Sequence, residues 1–393
     1  MDTLPSNNIP IIPGISFLRS IMSIFVITWH VLLYSMQQNG GITPSDLFSK
    51  NRCSEPVYTI LDLISFQILL VAVPTFILIS NYLFARNHLL LKNKESNSLY
   101  QLKKRIKRHL FLFSFWLPVF IIYMGHLMGF DQIYSLLPKT LSATIVILLS
   151  GGGSPYYFFF SLIFSLIITY NIRNLSIVNV SVCFAGSILL IIITPYITLV
   201  FKYPSLTAYW NPINFIPYSP LAILMARLST STPKYKIIHS KQKVIIFIIL
   251  ILIGLSIFIA IFEWQHYTSD IFFIYQGYGI PAYTRASIIF TSAAIMLIAL
   301  HPSKIFNSNG ILSSLILLFT DGSLLNRIFR FMESHSLALY CLHFYMIIPV
   351  NKLISPYIHS PAMLILATTI LTAISSYAFS IILGLYLKDD LIR

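Results

Sequence analysis

The sequence predicts an all-α, polytopic integral membrane protein with about ten transmembrane helices and both termini in the cytoplasm. Three observations predict this fold: the composition, the spacing of apolar runs and the placement of basic residues. The chain is 56% hydrophobic and only 10% charged, with a mean hydropathy of +0.80. Soluble domains carry about 25% charged residues. A chain with so little polar surface requires lipid as its solvent.

Ten apolar runs have the length that a bilayer requires, which is about 20 helical residues. Their interiors are rich in Ile, Leu, Phe and Val without alternation of polar and apolar residues, which favours helices over a β-barrel. A shorter run at 141–149 precedes three glycines and predicts a re-entrant outer helix, and another at 311–319 predicts an inner amphipathic helix. The ten runs lie at 15–37, 62–84, 110–129, 154–172, 176–199, 212–229, 244–262, 281–300, 332–350 and 361–387.

The basic residues account for the net charge of +14 and give the orientation. Lys and Arg gather in alternate connections, above all at 85–109, and such segments are retained on the cytoplasmic side. Because the charge marks membrane topology, we expect no nucleic-acid partner. We expect residues 1–393 to form a single membrane-embedded domain with no soluble domain appended. Three scattered cysteines are too few for a disulfide framework or a thiolate metal site, and we expect no metal.

Two ionisable residues lie inside the first apolar run. Arg19 and His30 are eleven residues apart, which is three helical turns plus about 20° and a rise of roughly 16 Å. Both side chains therefore leave the same face, and a cation within hydrocarbon indicates a function. The alternative is that Arg19 extends to the inner interface while His30 bonds a neighbouring helix. The spacing leaves both interpretations open.

Four segments, in order along nearly the whole chain, resemble motifs of the membrane-bound acyltransferase family 3. They are GISFLRSIMSIFVITWHVLL, VPTFILISNYLFAR, KKRIKRHLF and SHSLALYCLHFYMI. The sequence departs from the family pattern at Asn81, where Gly is usual, at Leu337, where Tyr is usual, and at Tyr156–Tyr157. The matching residues are Arg19, His30, Ser80, Tyr82, Leu83, Arg86, Arg105, Arg108, Ser336, Tyr340 and His343.

The resemblance implies transfer of an acyl group, usually acetyl from cytoplasmic acetyl-CoA, to a hydroxyl of a glycan or lipid-linked saccharide at the bacterial inner membrane. His30 would act as general base, since the histidine pKa lies near neutrality. Arg19 would hold coenzyme phosphates or stabilise charge on the thioester oxygen. The remaining assignments are Arg86, Arg105 and Arg108 as coenzyme-binding residues, and His343, Tyr340 and Ser336 as further site candidates.

Other polar residues, and a competing function, complete the sequence-based expectations. The acids Asp131, Glu263 and Asp270 are interpreted mainly as solvated loop residues near the outer interface, with orientation of the base or contact with sugar as the alternative. The alternative function is a polysaccharide flippase or polymerase, for which paired interrupted helices or a large outer loop would be typical; neither is evident. The outer aromatic residues are interpreted mainly as an interfacial belt, with stacking on a sugar as the alternative; they are Tyr203, Tyr209, Trp210, Trp264 and Tyr267.

Overall fold

The computed structural model describes residues 12–39, 62–63, 65–90, 95–131, 138–230, 238–267, 281–301 and 324–386. Within these ranges the regular structure is helical and contains no strand. The helices are α1 (Pro13–Asn39), α2 (Ala72–Leu90), α3 (Glu95–Met128), α4 (Leu141–Leu149), α5 (Tyr157–Ile172), α6 (Ile177–Phe201), α7 (Tyr218–Thr230), α8 (Ile238–Tyr267), α9 (Ala286–Leu300), α10 (Leu324–Ser334), α11 (Ser336–Ile354) and α12 (Pro361–Tyr386).

The prediction of an all-α polytopic membrane protein is confirmed. In the described part of the chain, seven helical stretches are long and apolar enough to cross a membrane: α1, α2 with the π-helical turn before it, α3, α6, α8, α11 and α12. Helices α5 and α9 are apolar but shorter, and α7 has 13 residues. Each predicted run overlaps at least one helix, while the count of ten spans and the cytoplasmic termini stay predictions.

The outer surface of the bundle is apolar. On α8 the side chains of Phe247 and Phe258 are 63% and 71% exposed, and on α6 Val200 is 74% exposed. A water-soluble protein rarely leaves so many large apolar side chains uncovered. These faces are therefore the surface that contacts lipid.

Helix α1 occupies the middle of the bundle and packs against α2, α9, α10, α11 and α12. Its buried positions include Met22, Ile27 and Val31, each at most 2% exposed. The helix begins very close to α9, because a Cβ atom on Gly14 would lie only 1.9 Å from the carbonyl oxygen of Ala299. Glycine is required at this crossing. A central α1 places Arg19 and His30 in the protein interior.

The segment 85–109, predicted as an inner loop, is mostly helical. Helix α2 continues to Leu90, and α3 runs for 34 residues, about 51 Å at 1.5 Å per residue. The basic residues therefore lie on helices, and the location of this segment on the cytoplasmic side stays a prediction. Arg105 and Arg108 are therefore three residues apart on one rigid helix face.

The two short predicted helices and the start of the ninth span have separate outcomes. Residues 141–149 do form a helix, capped by Thr140, and no residue of this helix is buried. Its insertion into the membrane stays a prediction. The predicted helix at 311–319 lies outside the described residues. The ninth apolar helix begins at Ser336 rather than at residue 332, because the helical conformation is interrupted at His335, between the amphipathic α10 and the apolar α11.

Candidate functional site

Two histidines from distant parts of the chain meet at the centre of the bundle. His30 on α1 and His343 on α11 lie with Nδ1 of His30 3.2 Å from Nε2 of His343. The Nδ1 atom of His30 is also 2.8 Å from the carbonyl oxygen of Val26, and Nδ1 of His343 is 3.0 Å from that of Leu339. A carbonyl only accepts, so both histidines donate from Nδ1–H. Nε2 of His343 then accepts from His30.

This tautomer, assigned from the hydrogen-bond network, leaves Nε2 of His30 unprotonated. Within the described residues Nε2 makes no hydrogen bond, and the side chain lines a cavity. A histidine with Nδ1–H tied to acceptors and a free Nε2 lone pair is arranged to take up a proton.

The cavity beside His30 has a volume of about 360 Å³ and is called the histidine cavity here. Its walls are rich in aromatic rings and also carry aliphatic and polar side chains, among them Gln37 and Thr207. The lining residues used below are Trp29, His30, Tyr34, Phe66, Gly153, Ser154, Pro155, Tyr157, Tyr209, Tyr283 and Phe344.

One wall of the histidine cavity is built by the segment before α5. Gly151, Gly152 and Gly153 all have positive φ, between 63° and 79°, which a residue with a Cβ atom rarely adopts. A Cβ on Gly151 would lie 2.6 Å from the nitrogen of Tyr157. The tight turn therefore sets the start of α5, where the hydroxyl of Tyr157 donates to that of Tyr283 at 3.1 Å. The Tyr156–Tyr157 departure from the family pattern thus falls at the site itself.

A second cavity, of about 400 Å³, lies around Arg19 and is called the arginine cavity. Its cationic side chains come from three helices: Arg19 on α1, Arg108 on α3 and Arg330 on α10. Nη1 of Arg19 lies 2.9 Å from Oε1 of Glu333, and both side chains are about one-quarter exposed. The cavity is also lined by Phe76, Ser80, His109, Phe158, Leu162, Ser334, Ser336, Leu337 and Tyr340.

The two cavities are joined by a short series of side chains. Tyr340 lines the arginine cavity, and its ring centre is 6.0 Å from that of His343. His343 in turn bonds His30, which lines the histidine cavity. Because Arg19 and His30 are separated by about 16 Å along α1, the two cavities lie at different levels of this helix.

The residues singled out from the sequence fall into two groups. Arg19, Arg108, Ser336 and Tyr340 line the arginine cavity, and His30 and His343 form the central pair. Arg86 and Arg105 are not among the residues that line either cavity. Nη1 of Arg105 instead donates to the carbonyl oxygen of Ser80 at 3.2 Å, and its guanidinium lies over the ring of Phe84 at 5.5 Å.

The interpretation of Glu263 as a solvated acid was wrong. Glu263 is only 4% exposed and accepts hydrogen bonds from the backbone N–H and the hydroxyl of Ser287. Arg285 is fully buried and lies just before the start of α9. It interacts electrostatically with this carboxylate and donates a hydrogen bond to the carbonyl oxygen of Phe66. The hydrogen bond from Arg285 holds the π-helical turn, Ser65–Leu69, whose Phe66 lines the histidine cavity. Asp131 is exposed as expected, and Asp270 lies outside the described residues.

Several site residues were not recognised from the sequence. Tyr283 was not singled out and Tyr157 was noted only as a departure from the family pattern. Both line the histidine cavity together with Tyr209, for which sugar stacking was the alternative interpretation. Arg330 was treated only as a topology signal and Glu333 was not singled out, yet the two are three residues apart on one face of α10. The amphipathic pattern of α10 was the signal available for that face. In the described ranges, no group of three or more His, Cys, Asp and Glu residues is arranged to hold a metal ion.

Comparison with known proteins agrees with this geometry. Neither a curated protein nor a solved structure matches the chain. The model of acyltransferase family 3, described as an acyltransferase domain, matches residues 12–386 and so covers nearly the whole sequence. The chain therefore belongs to acyltransferase family 3 and is a multi-pass membrane acyltransferase.

Proposed function

We propose that this protein is an O-acyltransferase of the bacterial inner membrane. It transfers an acetyl group from cytoplasmic acetyl-CoA to a hydroxyl of a surface polysaccharide, O-antigen or exopolysaccharide, or of its lipid-linked precursor. The observation that carries the proposal is the pair of cavities of opposite chemistry at two depths of α1, one cationic and one aromatic with a free histidine nitrogen.

The arginine cavity suits an anionic acyl donor. Coenzyme A carries several phosphate charges, and guanidinium groups bind phosphate through paired hydrogen bonds. Arg19, Arg108 and Arg330 line this cavity, while Arg105 is close enough to Arg19 and Arg108 to act on them electrostatically. Arg105 adds positive charge that attracts the donor without contacting it. The predicted orientation places this end of α1 on the cytoplasmic side, where acetyl-CoA is found.

The histidine cavity suits a sugar acceptor. A sugar has apolar faces and a rim of hydroxyl groups, and tyrosine and tryptophan offer an apolar ring with one polar atom. Trp29, Tyr157 and Tyr209 supply such rings beside His30. The volume of about 360 Å³ lies within the range of small-molecule sites, about 300–1,000 Å³.

The reaction follows from the free nitrogen of His30. Nε2 takes the proton of the acceptor hydroxyl while the hydroxyl oxygen attacks the carbonyl carbon of the thioester. The carbon–oxygen bond forms, the carbon–sulfur bond breaks, and the electron pair leaves with the coenzyme sulfur. His343 accepts from Nδ1–H of His30 and so supports the positive charge that the imidazole gains. The thiolate is protonated by water on the donor side, and His30 returns its proton to water.

The test is acetylation of the surface glycan by His30 variants in a strain that lacks the native gene. His30→Gln keeps hydrogen-bonding capacity but cannot take up a proton at neutral pH. We expect acetylation to fall by about 10²- to 10⁴-fold in His30→Gln and His30→Ala, because a general base contributes a factor of that size. Mass spectrometry of the glycan gives acetylation, and immunoblotting gives the amount of protein in the membrane.

The matched control is His359→Ala, which changes an exposed histidine outside both cavities and should leave acetylation normal. Near-normal acetylation by His30→Gln at normal protein level would contradict the assignment of His30 as the base.

A further inference from the structure

We infer that His109 is a further functional histidine, a neutral hydrogen-bond donor that binds a carbonyl oxygen in the uncharged arm of the acyl donor. The inference rests on the proposed function and extends it to a residue with the opposite task to His30. His109 lies on α3 and lines the arginine cavity.

The first argument is the tautomer of His109. Its Nδ1 atom is buried and has no hydrogen-bond partner in the described part of the chain, and the ring lies 6.1 Å from that of Phe159. A proton on Nδ1 would be a buried donor without an acceptor, which is less favourable than a buried lone pair without a donor. The neutral ring therefore carries its proton on Nε2, the nitrogen that is left for the cavity.

The second argument is charge. Arg108 is the neighbouring residue and Arg105 lies one helical turn earlier, and both act electrostatically on the His109 ring. A further positive charge beside two guanidinium groups is unfavourable. His109 therefore offers a donor without a charge, whereas Arg19, Arg108 and Arg330 offer charged donors.

The two cavities then hold histidines in opposite states. His30 donates from Nδ1–H and presents the lone pair of Nε2, which suits proton uptake. His109 presents Nε2–H, which suits an acceptor oxygen on a ligand. The same residue type serves as a base in one cavity and as a donor in the other because different nitrogens are buried.

The third argument is position along α3. His109 lies about 6 Å beyond Arg105 in the direction of the apolar part of the helix, which begins at the next residue, Leu110. Nearby cavity walls include Phe158 and Leu162 on α5. The phosphates of the donor remain with the arginines, so the part that reaches His109 is the thioester-bearing arm. This arm carries amide and thioester carbonyls, which accept hydrogen bonds.

The test compares two ligands on purified protein in lipid nanodiscs. Acetyl-CoA has both phosphates and arm, whereas adenosine 3′,5′-bisphosphate has phosphates but no arm. We expect His109→Ala to weaken acetyl-CoA binding by about 3- to 10-fold, the equivalent of one neutral hydrogen bond, and to leave the bisphosphate affinity unchanged. Arg108→Ala should weaken both ligands. His126→Ala, which changes an exposed histidine on the same helix, should weaken neither.

Two conservative variants separate the donor from the mere presence of the ring. The side-chain amide of Gln reaches the position of Nε2, and that of the shorter Asn reaches only Nδ1. His109→Gln should restore most of the acetyl-CoA affinity, and His109→Asn should bind as weakly as His109→Ala. Retained bisphosphate binding shows that each variant is folded.

The inference is overturned if His109→Ala binds acetyl-CoA as tightly as wild type, or if it weakens both ligands equally. It is also overturned if His109→Asn and His109→Gln bind alike. These results would leave the proposed function intact. Failure of the wild-type protein to bind acetyl-CoA at all would instead overturn the proposed donor, and with it the role of His109.

Discussion

Replacement of His343 by leucine tests how the histidine pair works. The change removes the Nε2 acceptor 3.2 Å from Nδ1 of His30, and the side chain is fully buried. His30 keeps its bond to the carbonyl oxygen of Val26 at 2.8 Å, so its tautomer is preserved. What is lost is support for the imidazolium that forms when His30 takes the hydroxyl proton.

The expected size of the effect follows from this hydrogen bond. A bond to a charged group contributes about 1.5–3 kcal/mol, which corresponds to about 10- to 150-fold in rate. Because the carbonyl oxygen of Val26 still accepts a hydrogen bond from Nδ1–H of His30, we expect a loss of rate near the lower end of this range. His343→Leu should therefore lower kcat without raising KM for donor or acceptor, and should be less damaged than His30→Gln.

The assay is acetyl transfer by membrane vesicles supplied with acetyl-CoA and the isolated glycan. His343→Gln supplies an amide oxygen near the position of Nε2 and should recover most of the rate. A His343→Leu enzyme with wild-type kcat would show that the contact has no catalytic role. A loss as large as that of His30→Gln would refute the supporting role and place His343 in direct proton transfer.

Two further predictions concern charged residues. Arg108→Ala should weaken acetyl-CoA binding by roughly 10-fold or more, and Arg108→Lys should recover it only in part, because Lys cannot bond phosphate through two parallel N–H groups. Arg105→Ala should weaken binding less at low salt and not at all at high salt, as expected for attraction without contact. Equal losses of affinity in Arg108→Ala and Arg105→Ala would contradict this division of roles. Arg285→Met should destabilise the protein by about 1.5–3 kcal/mol, because the buried guanidinium loses its hydrogen bond to the carbonyl oxygen of Phe66 and its electrostatic interaction with Glu263. Thermal unfolding in nanodiscs measures this, and Arg285→Met combined with Glu263→Leu should be more stable than Arg285→Met alone; if the double variant is the less stable one, the two charges do not compensate each other.

The helices could be predicted from the sequence because a bilayer imposes a length and a composition on each of them. All ten predicted runs overlap helices of the described structure. The limits of α3 were missed because basic residues were equated with a loop. Charge determines on which side of the membrane a segment remains, but it does not determine whether that segment is helical.

The site was predictable residue by residue but not as a set of contacts. The family motifs pointed to His30 and His343 separately, while the bond between them joins positions 313 residues apart. Glu263 was misjudged because its place near the end of an apolar run is compatible with either water or protein. Only the packing of α8 against α9 shows that it faces Ser287. Such pairings depend on which helix faces are neighbours, and a single sequence does not contain that information.

The arrangement of the cavities reconciles transfer across a membrane with a sealed bilayer. A continuous aqueous passage beside Arg19 and His30 would let ions cross with the substrates. Between the two cavities stand Tyr340 and His343, both at most 6% exposed, and Phe158, whose ring centre is 4.9 Å from that of Tyr340. The barrier is therefore thin and made of side chains. Under the proposed function, the thioester and the acceptor hydroxyl come into contact at this layer, so that neither substrate needs to cross the membrane.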